Sequence, residues 1–329
     1  MSETHSATAR AHPNIAFIKY WGNADDNLRL PANPSLSMNL DGLYTQTTVT
    51  WLFEPNADRL ILNRQPDTGT AFRRVSAFLN ILRARLNITG SAQIESFNNF
   101  PMGAGIASSA SSFAALTLAA VSAAGIQLSE RALSTLARLG SGSAARSIPG
   151  GFVEWFTGQS HDESFAESFA PPDHWDLVDI IAVVSSEHKT VVSQEGHRSA
   201  NTSDLQAARV AGAAERLAAC KTAILSRDFK RFAEVVEHDS NLMHAVMMTS
   251  RPPLFYWLPP TLEVMARVRQ WRADGLKVCY TLDAGPNIHC ICVKNDAEQV
   301  RQELSALSGV VDVRAALPGG PAALVDVNG

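Results

Sequence analysis

The chain has 329 residues, more than one simple core needs, so it suits one large domain or two closely packed ones. Apolar residues make up 46% of it and charged residues 18%, as in an ordinary soluble globular protein. A formal net charge of −4 excludes the basic footprint of a nucleic-acid-binding protein. The first residues lack a signal-peptide pattern, and the longest apolar stretch is broken by serines. We therefore expect a cytoplasmic protein without a nucleic-acid partner or a membrane span.

The predicted elements mix strands and helices without regular alternation. Strands are predicted over 44–53, 178–185, 276–283 and 288–294, with a further strand closing the chain. Helices are predicted within 98–124 and over 72–87, 129–139, 203–225, 229–248, 261–273 and 297–307. This order indicates the α+β class. The four cysteines are expected to be buried thiols, because too few other metal ligands lie near them in sequence.

Lys19 follows an apolar alternation in the segment 14–22, which reads NIAFIKYWG. An isolated lysine at such a place is most often a solvated charge on an edge strand.

A loop rich in glycine and serine, NNFPMGAGIASSASS at 98–112, leads into an alanine-rich helix. Gly103 and Gly105 allow backbone angles and close approaches that a Cβ forbids. Serine hydroxyls and unpaired N–H groups at the helix start favour an anion such as a phosphate chain. A helix start that is merely capped by serines and packed on a sheet is the alternative. The spacing matches neither G-x-x-x-x-G-K-[ST] nor G-x-G-x-x-G.

The segment 140–147, which reads GSGSAARS, combines two serines with an arginine. On a helix, Ser143 and Arg146 would share a face, and Ser141 could cap the first turn. The planar fork of an arginine can grip a carboxylate through two hydrogen bonds. A capped surface helix that carries an ordinary arginine is the alternative.

Asp283 ends a predicted strand before the turn AGPN. Its carboxylate could cap the turn through the N–H of Gly285, or it could act in catalysis. His244 lies on the predicted helix 229–248, and we assign it packing or orientation rather than a chemical step.

Together these segments resemble the GHMP kinase superfamily and, within it, the mevalonate diphosphate decarboxylases. The decarboxylase loop reads much like NNFPTAAGLASSA, and its further motifs resemble NIAxIKYWG, GSGSAxRS and DAGPN, with another match around His244. The resemblance covers most of the chain. It implies a two-lobed GHMP kinase-like α+β fold with the active site in the cleft between the lobes. It also implies a homodimer. A change in composition near 186–203 places the boundary between an N-terminal domain over 1–187 and a C-terminal domain over 188–329.

The resemblance further implies an ATP-dependent decarboxylase that uses Mg²⁺. Its implied ATP-binding residues are Pro101, Gly103, Ala104, Gly105, Ala107, Ser108, Ser109 and Ser112. Its implied substrate-binding residues are Tyr20, Ser141, Ser143, Arg146 and Ser193. Asp283 would accept the proton of the C3 hydroxyl of a phosphorylated mevalonate, Lys19 would lie near the moving phosphoryl group, and Arg146 would hold the carboxylate.

Two departures from the family pattern concern the phosphate tail of the substrate. Asn23 stands where the family commonly has a second lysine, and Gln194 stands where it commonly has an arginine. We therefore predict decarboxylation of mevalonate 5-phosphate to isopentenyl phosphate. The alternative is mevalonate 5-diphosphate giving isopentenyl diphosphate, with His197 or Arg198 supplying relocated charge. A GHMP kinase that does not decarboxylate is less expected, because it would lack the combined arginine and DAGPN pattern.

Overall fold

A computed structural model describes residues 5–52, 57–100, 108–185 and 193–326 and, for 193–195, the backbone alone. The α-helices in these ranges are α1 (Thr70–Leu86), α2 (Ser108–Ala123), α3 (Glu130–Gly140), α4 (Ser193–Ser199), α5 (Gln206–Ala211), α6 (Ala213–Ser226), α7 (Phe229–Thr249), α8 (Pro259–Ala273) and α9 (Ala297–Ser305). A 3-10 helix spans Gly142–Ser147.

The β-strands are β1 (His5–Ala11), β2 (Asn14–Ile18), β3 (Asn23–Asp25), β4 (Leu30–Pro31), β5 (Ser35–Asp41), β6 (Thr45–Leu52), β7 (Arg59–Leu62), β8 (Gln65–Asp67), β9 (Ser91–Asn98), β10 (Phe152–Trp155), β11 (Ala166–Ala170), β12 (Leu177–Val183), β13 (Val278–Thr281), β14 (Ile288–Val293), β15 (Asp312–Pro318) and β16 (Ala323–Leu324).

The first sheet has the strand order β16-β1-β6-β9-β7-β8 and is antiparallel except between β7 and β9. Its central strand β6 alternates buried and partly exposed residues, the pattern of a sheet with one face on a core. That face packs against α1, α2 and α3 through a core that includes Trp51, Leu79 and Leu116. The small side chains of α2 let it lie close to the sheet.

The second sheet has the order β11-β10-β5-β15-β12-β14-β13, and β2 also pairs with β5. All seven residues of β12 are buried, because α6 and α7 pack on one face of this sheet and α8 and α9 on the other. Burial on both faces explains why the sequence of β12 is almost continuously apolar. Most predicted elements are present and the expected α+β fold is confirmed.

Strands from both halves of the chain share the second sheet. β15 pairs with β5, and β16 pairs with β1 of the first sheet, so the last described residues return to the N-terminal half. The proposed boundary between residues 187 and 188 falls outside the described residues and stays a prediction.

Some local expectations need correction. The helix predicted over 203–225 is two helices, α5 and α6, which meet at Gly212. Glycine is a poor helix former, which explains the break at this residue. The four cysteines are buried and free, as expected. Within the ranges described above, no helix is long and apolar enough to cross a membrane.

The packing of the C-terminal turn against Gly150 tests whether the end of the chain contacts the N-terminal half. A Cβ on Gly150 would lie 2.6 Å from the carbonyl carbon of Gly320 and would also meet the backbone of Pro321. We expect Gly150→Ala to lower the free energy of unfolding by about 1–3 kcal/mol, because backbone atoms cannot yield cheaply. Urea denaturation measures this change. Gly320→Ala is the matched control, since its Cβ would meet nothing within 4 Å; equal stability of both variants would contradict the packing.

Candidate active site

Lys19 lies directly after β2 and is 1% exposed. Its Nζ is 2.7 Å from Oδ1 of Asp283. The backbone of Lys19 is also held by side chains. Its N–H donates to Oδ2 of Asp239 at 2.6 Å. Its carbonyl accepts from Asn33 at 3.0 Å and from Arg209 at 2.6 Å. The alternative of a solvated edge lysine is therefore wrong. Lys19 is a fixed, buried cation.

The Lys19–Asp283 pair carries shifted pKa values. Burial lowers the pKa of Lys19, and the neighbouring charge and hydrogen bond of Asp283 only partly offset that effect. Burial by itself would raise the pKa of Asp283, but Lys19, His289 and Arg146 together hold it below its usual value. The carboxylate is thus ionised at neutral pH and can accept a hydrogen bond or a proton.

The turn that carries Asp283 is built without its carboxylate. The N–H of Gly285 donates to the backbone carbonyl of Asp283 at 2.8 Å, so the carboxylate is left for Lys19. Asn287 ties the end of the turn to the second sheet, because its side-chain oxygen accepts the N–H of Val184 at 2.8 Å. The turn-capping alternative for the Asp283 side chain is therefore not what the structure shows.

Arg146 lies in the 3-10 helix and is 3% exposed. Its Nε donates to Asn14 at 3.2 Å, its Nη1 donates to Ser35 at 2.6 Å, and its guanidinium lies 5.6 Å from the centre of the Trp155 ring. Burial lowers the pKa of Arg146 to about 10, which still leaves it charged at neutral pH. Within the described parts of the chain it has no carboxylate partner, so it is available for an anionic ligand. It is not an ordinary surface arginine.

Ser141 and Ser143 lie beside the start of α2. The Oγ of Ser141 is 3.4 Å from the Oγ of Ser143 and 3.4 Å from that of Ser109. Ser141 precedes the 3-10 helix but does not cap it with its side chain, which corrects our expectation. Between the two serines, Gly142 faces Tyr20, and a Cβ there would lie 2.6 Å from the tyrosine hydroxyl. Only glycine permits this approach.

Part of the predicted ATP-binding segment lies outside the described residues, namely Pro101, Gly103, Ala104, Gly105 and Ala107. The same holds for the side chain of Ser193, the first residue of α4.

Three serines of that segment are described on α2. The helix begins at Ser108, whose carbonyl accepts the hydroxyl of Ser112 at 2.7 Å. Ser109 reaches towards Ser141. Two of the three hydroxyls thus have partners within the protein.

A cavity of about 140 Å³ lies between α1, the start of α2 and the first sheet. Apolar side chains such as Leu60, Val75 and Ile94 form most of its wall, while Arg74 and Ser109 also line it. The apolar wall of this cavity was not predicted from the sequence, because those residues come from separate elements and, unlike Ser109, belong to no motif.

The contacts of His197 were not predicted from the sequence either. Its ring stacks on Tyr20 with 4.1 Å between centroids and lies 4.6 Å from Trp21, and its Nδ1 accepts the N–H of Gly22 at 3.0 Å. Gly196 allows this contact, because a Cβ there would lie 2.5 Å from Trp21. These contacts attach α4 to the segment that follows Lys19.

His244 is buried on α7, with its ring 5.1 Å from that of Trp257. Burial and, to a smaller extent, the charge of Lys19 lower the pKa of His244 to about 3. It is neutral at physiological pH, and we assign it no chemical step.

Comparison with known proteins places this geometry in a family. Residues 11–166 match the model of the diphosphomevalonate decarboxylase-like N-terminal domain, and residues 179–316 match that of the mevalonate 5-diphosphate decarboxylase C-terminal domain. The chain belongs to the diphosphomevalonate decarboxylase family. The expectation of an ATP-dependent decarboxylase of this family is therefore confirmed.

Several named relatives are similar over most of their length. Diphosphomevalonate decarboxylase mvd1 of Aspergillus fumigatus is 42% identical over 93% of this chain and 81% of its own, and the human diphosphomevalonate decarboxylase is 39% identical over 86% and 75%. The structure of mevalonate diphosphate decarboxylase from Staphylococcus aureus is 38% identical, covers 98% of both chains and superposes with a TM-score of 0.93. The structure of MDDEF in complex with MVAPP, AMPPCP and magnesium is 39% identical in sequence and superposes with a TM-score of 0.92. The match covers 98% of this chain and 100% of that chain.

The coupling between Lys19 and Asp283 predicts a measurable change in titration. Because the Asp283 charge raises the pKa of Lys19 against the effect of burial, Asp283→Asn should lower the Lys19 pKa further. Selective ¹³C labelling of lysine and an NMR titration measure this value. The exposed pair Arg251–Asp204 supplies the control, since Asp204→Asn should leave Lys19 unchanged. An unchanged or higher Lys19 pKa in Asp283→Asn would contradict the coupling.

Proposed function

We propose that the chain decarboxylates mevalonate 5-diphosphate to isopentenyl diphosphate, consuming ATP and releasing ADP, phosphate and CO2. The observation that carries this proposal is the Lys19–Asp283 ion pair at 2.7 Å, in which the lysine is buried and the carboxylate partly exposed, with the charged Arg146 beside it. The named relatives of about 40% identity are diphosphomevalonate decarboxylases, which favours the diphosphate over the mevalonate 5-phosphate of our first expectation.

The reaction requires an activated leaving group. Mevalonate carries a tertiary hydroxyl at C3, β to a carboxylate, and hydroxide is a poor leaving group. Transfer of the γ-phosphoryl group of ATP to that oxygen replaces hydroxide with phosphate. Departure of phosphate leaves positive charge at C3, and the electron pair of the bond to CO2 then forms the alkene.

Asp283 and Lys19 act at the C3 oxygen in this proposal. Asp283 orients the hydroxyl and accepts its proton as the bond to phosphorus forms, which requires an ionised carboxylate. Its low pKa keeps it ionised, as Lys19 offsets the burial of the charge. Lys19, fixed by its backbone contacts, also balances negative charge on the phosphoryl group in transfer.

Arg146 holds the substrate carboxylate. Its Nε and Nη1 are anchored by Asn14 and Ser35, so the guanidinium has a fixed direction. A fixed fork positions the carboxylate for departure without loss of further conformational entropy. Ser141 and Ser143 lie between Arg146 and α2 in sequence and space, and they complete the orientation of the substrate.

ATP and Mg²⁺ fit the residues at the start of α2. The cavity beside α2 suits the apolar part of a nucleotide, while Arg74 and the serines at its rim suit phosphates. The described residues include no group of three His, Cys, Asp or Glu side chains that could hold a metal. They therefore suit a Mg²⁺ held mainly by the nucleotide phosphates, where it would neutralise their charge.

Asp283→Asn and Arg146→Gln test these roles. Removing one preorganised charged group typically costs two to three orders of magnitude in rate, and we expect losses in kcat of about that size. A coupled assay for ADP and a trapping assay for CO2 measure them. The matched controls are Asp204→Asn and Arg251→Gln, which alter an exposed ion pair. Turnover near that of the controls in either site variant would remove that residue from the mechanism.

Mevalonate 5-phosphate is a second candidate substrate because of Asn23. Its Oδ1 accepts the hydroxyl of Tyr20, and its Nδ2 donates to Asp26 at 2.7 Å. An amide held in this way is neutral and cannot replace the lysine common in the family. The missing charge-assisted hydrogen bond would be worth about 1.5–3 kcal/mol to a diphosphate.

A side-by-side assay with the two substrates decides between these candidates. Wild-type protein should prefer mevalonate 5-diphosphate, and Asn23→Lys should raise kcat/KM for the diphosphate by about tenfold more than for the monophosphate, because it adds a charge-assisted bond. Both ADP and CO2 are followed. Wild-type preference for the monophosphate would establish the second candidate, and ADP without CO2 would leave a kinase.

The homodimer implied by the resemblance and the cytoplasmic location expected from the sequence pattern stay predictions. Sedimentation of the purified chain is the direct test of the dimer.

A further inference from the structure

Arg29 occupies a strained turn next to the candidate substrate site. It lies between β3 and β4 with φ at +49°, in the left-handed region. That region is unfavourable for an arginine, which lacks the short polar side chain that stabilises Asn or Asp there. Strain of this kind concentrates at functional sites. The positive φ therefore marks this turn as a candidate functional element outside the motifs.

The side chain of Arg29 is anchored at one atom only. Its Nε donates to the carbonyl of Leu139 at 2.9 Å, near the end of α3 and two residues before Ser141. The other two nitrogens of the guanidinium have no hydrogen-bond partner among the residues that the structure describes. Arg29 is partly buried, and in those same ranges no carboxylate lies within ion-pair distance of it.

Arg29 is one of three neighbouring arginines without a carboxylate partner in the described ranges. Burial lowers the pKa of Arg29, and the charge of Arg198 on α4 lowers it further, while Tyr20 and Asp26 act in the opposite direction. Burial likewise lowers the pKa of Arg74, and the charge of Arg29 adds to that effect. Like charges held together without partners repel one another, and a bound polyanion would remove this repulsion.

A closed chain of contacts joins Arg29 to the substrate site. Leu139, its anchor, precedes the segment in which Gly142 packs against the hydroxyl of Tyr20. That hydroxyl donates to Asn23, and the Asn23 amide donates to Asp26, three residues before Arg29. Arg29 and Asn23 therefore both belong to segments that contact or act on Tyr20, since the charge of Arg29 lowers the pKa of the Tyr20 hydroxyl against the larger effect of burial.

We propose that Arg29 is a specificity-determining residue that binds the phosphoryl tail of the substrate and supplies the positive charge that Asn23 lacks. The proposal rests on the proposed function, since it takes the ligand to be a 5-phosphorylated mevalonate. A guanidinium held through Nε presents its two remaining nitrogens as a fork, which matches two phosphate oxygens. Arg29 does not touch the reacting atoms, so it sets affinity rather than chemistry.

Arg29→Asn is the direct test, because asparagine tolerates a positive φ and the turn should keep its shape. Titration calorimetry with mevalonate 5-diphosphate, without nucleotide, should show a Kd about 10- to 100-fold higher than in wild type. KM should rise to a similar extent, with kcat changed less than about threefold. The Kd and KM of Arg29→Lys should lie between those of wild type and Arg29→Asn, since lysine keeps the positive charge but lacks the planar guanidinium fork.

Arg227→Asn is the matched control. Arg227 also has a positive φ, at +56°, but it is exposed at the end of α6. Its substitution relieves the same kind of strain away from the site and should leave Kd unchanged.

Two further ligands separate tail binding from a general change in the site. Inorganic pyrophosphate should bind Arg29→Asn more weakly than wild type, whereas unphosphorylated mevalonate should bind both equally. An unchanged Kd for the diphosphate, or an equal loss for unphosphorylated mevalonate, would overturn the role of Arg29. If wild type decarboxylates neither phosphorylated mevalonate, the proposed function fails, while weaker pyrophosphate binding by Arg29→Asn still supports Arg29 as a phosphate ligand.

Discussion

The ion pair between the buried Lys19 and the partly exposed Asp283 is the interaction on which the rest of the site depends. Transferring two charges from water to a protein interior is costly unless their geometry and remaining hydrogen bonds are satisfied. Here the backbone of Lys19 is held by Asp239, whose other oxygen accepts from Arg216 at 2.7 Å, and by Arg209. Lys19 comes from the N-terminal half and the other members from the C-terminal half. This ion pair therefore exists only when the two halves are packed together.

A second buried pair extends this electrostatic arrangement beneath the site. Asp179 on β12 and His289 on β14 approach to 2.6 Å, and both are almost fully buried. Thr281, the last residue of β13, pairs with His289, and Asp283 follows two residues later in the chain. The Asp179 charge raises the pKa of His289 against the effect of burial, and the charge of His289 in turn helps to hold the Asp283 pKa low. The buried Asp179 of β12 therefore affects the pKa of Asp283 through His289.

Short motifs identified the charged groups of the candidate site better than their surroundings. Lys19, Arg146 and Asp283 each stand in a motif that spans few residues, so their importance could be inferred from local pattern. Long apolar periodicities such as that of α7 also predicted the elements well, although the break at Gly212 was missed. Arg29 carries no local signal, because its role follows from the position of Leu139, about 110 residues later in the chain. Contacts between distant segments leave no periodicity to detect.

Residues inside and outside the motifs differ in how many buried hydrogen bonds fix them. Lys19 and Arg146 are each fixed by several buried hydrogen bonds, so the reacting end of the site has little freedom to change. Arg29 and His197, in contrast, lie on a short turn and a short helix at the edge of the site. A cation for a phosphate tail can come from any nearby segment, since charge attraction is less directional than proton transfer. The positive charge absent at Asn23 can therefore be supplied from the next turn without disturbing the Lys19–Asp283 ion pair.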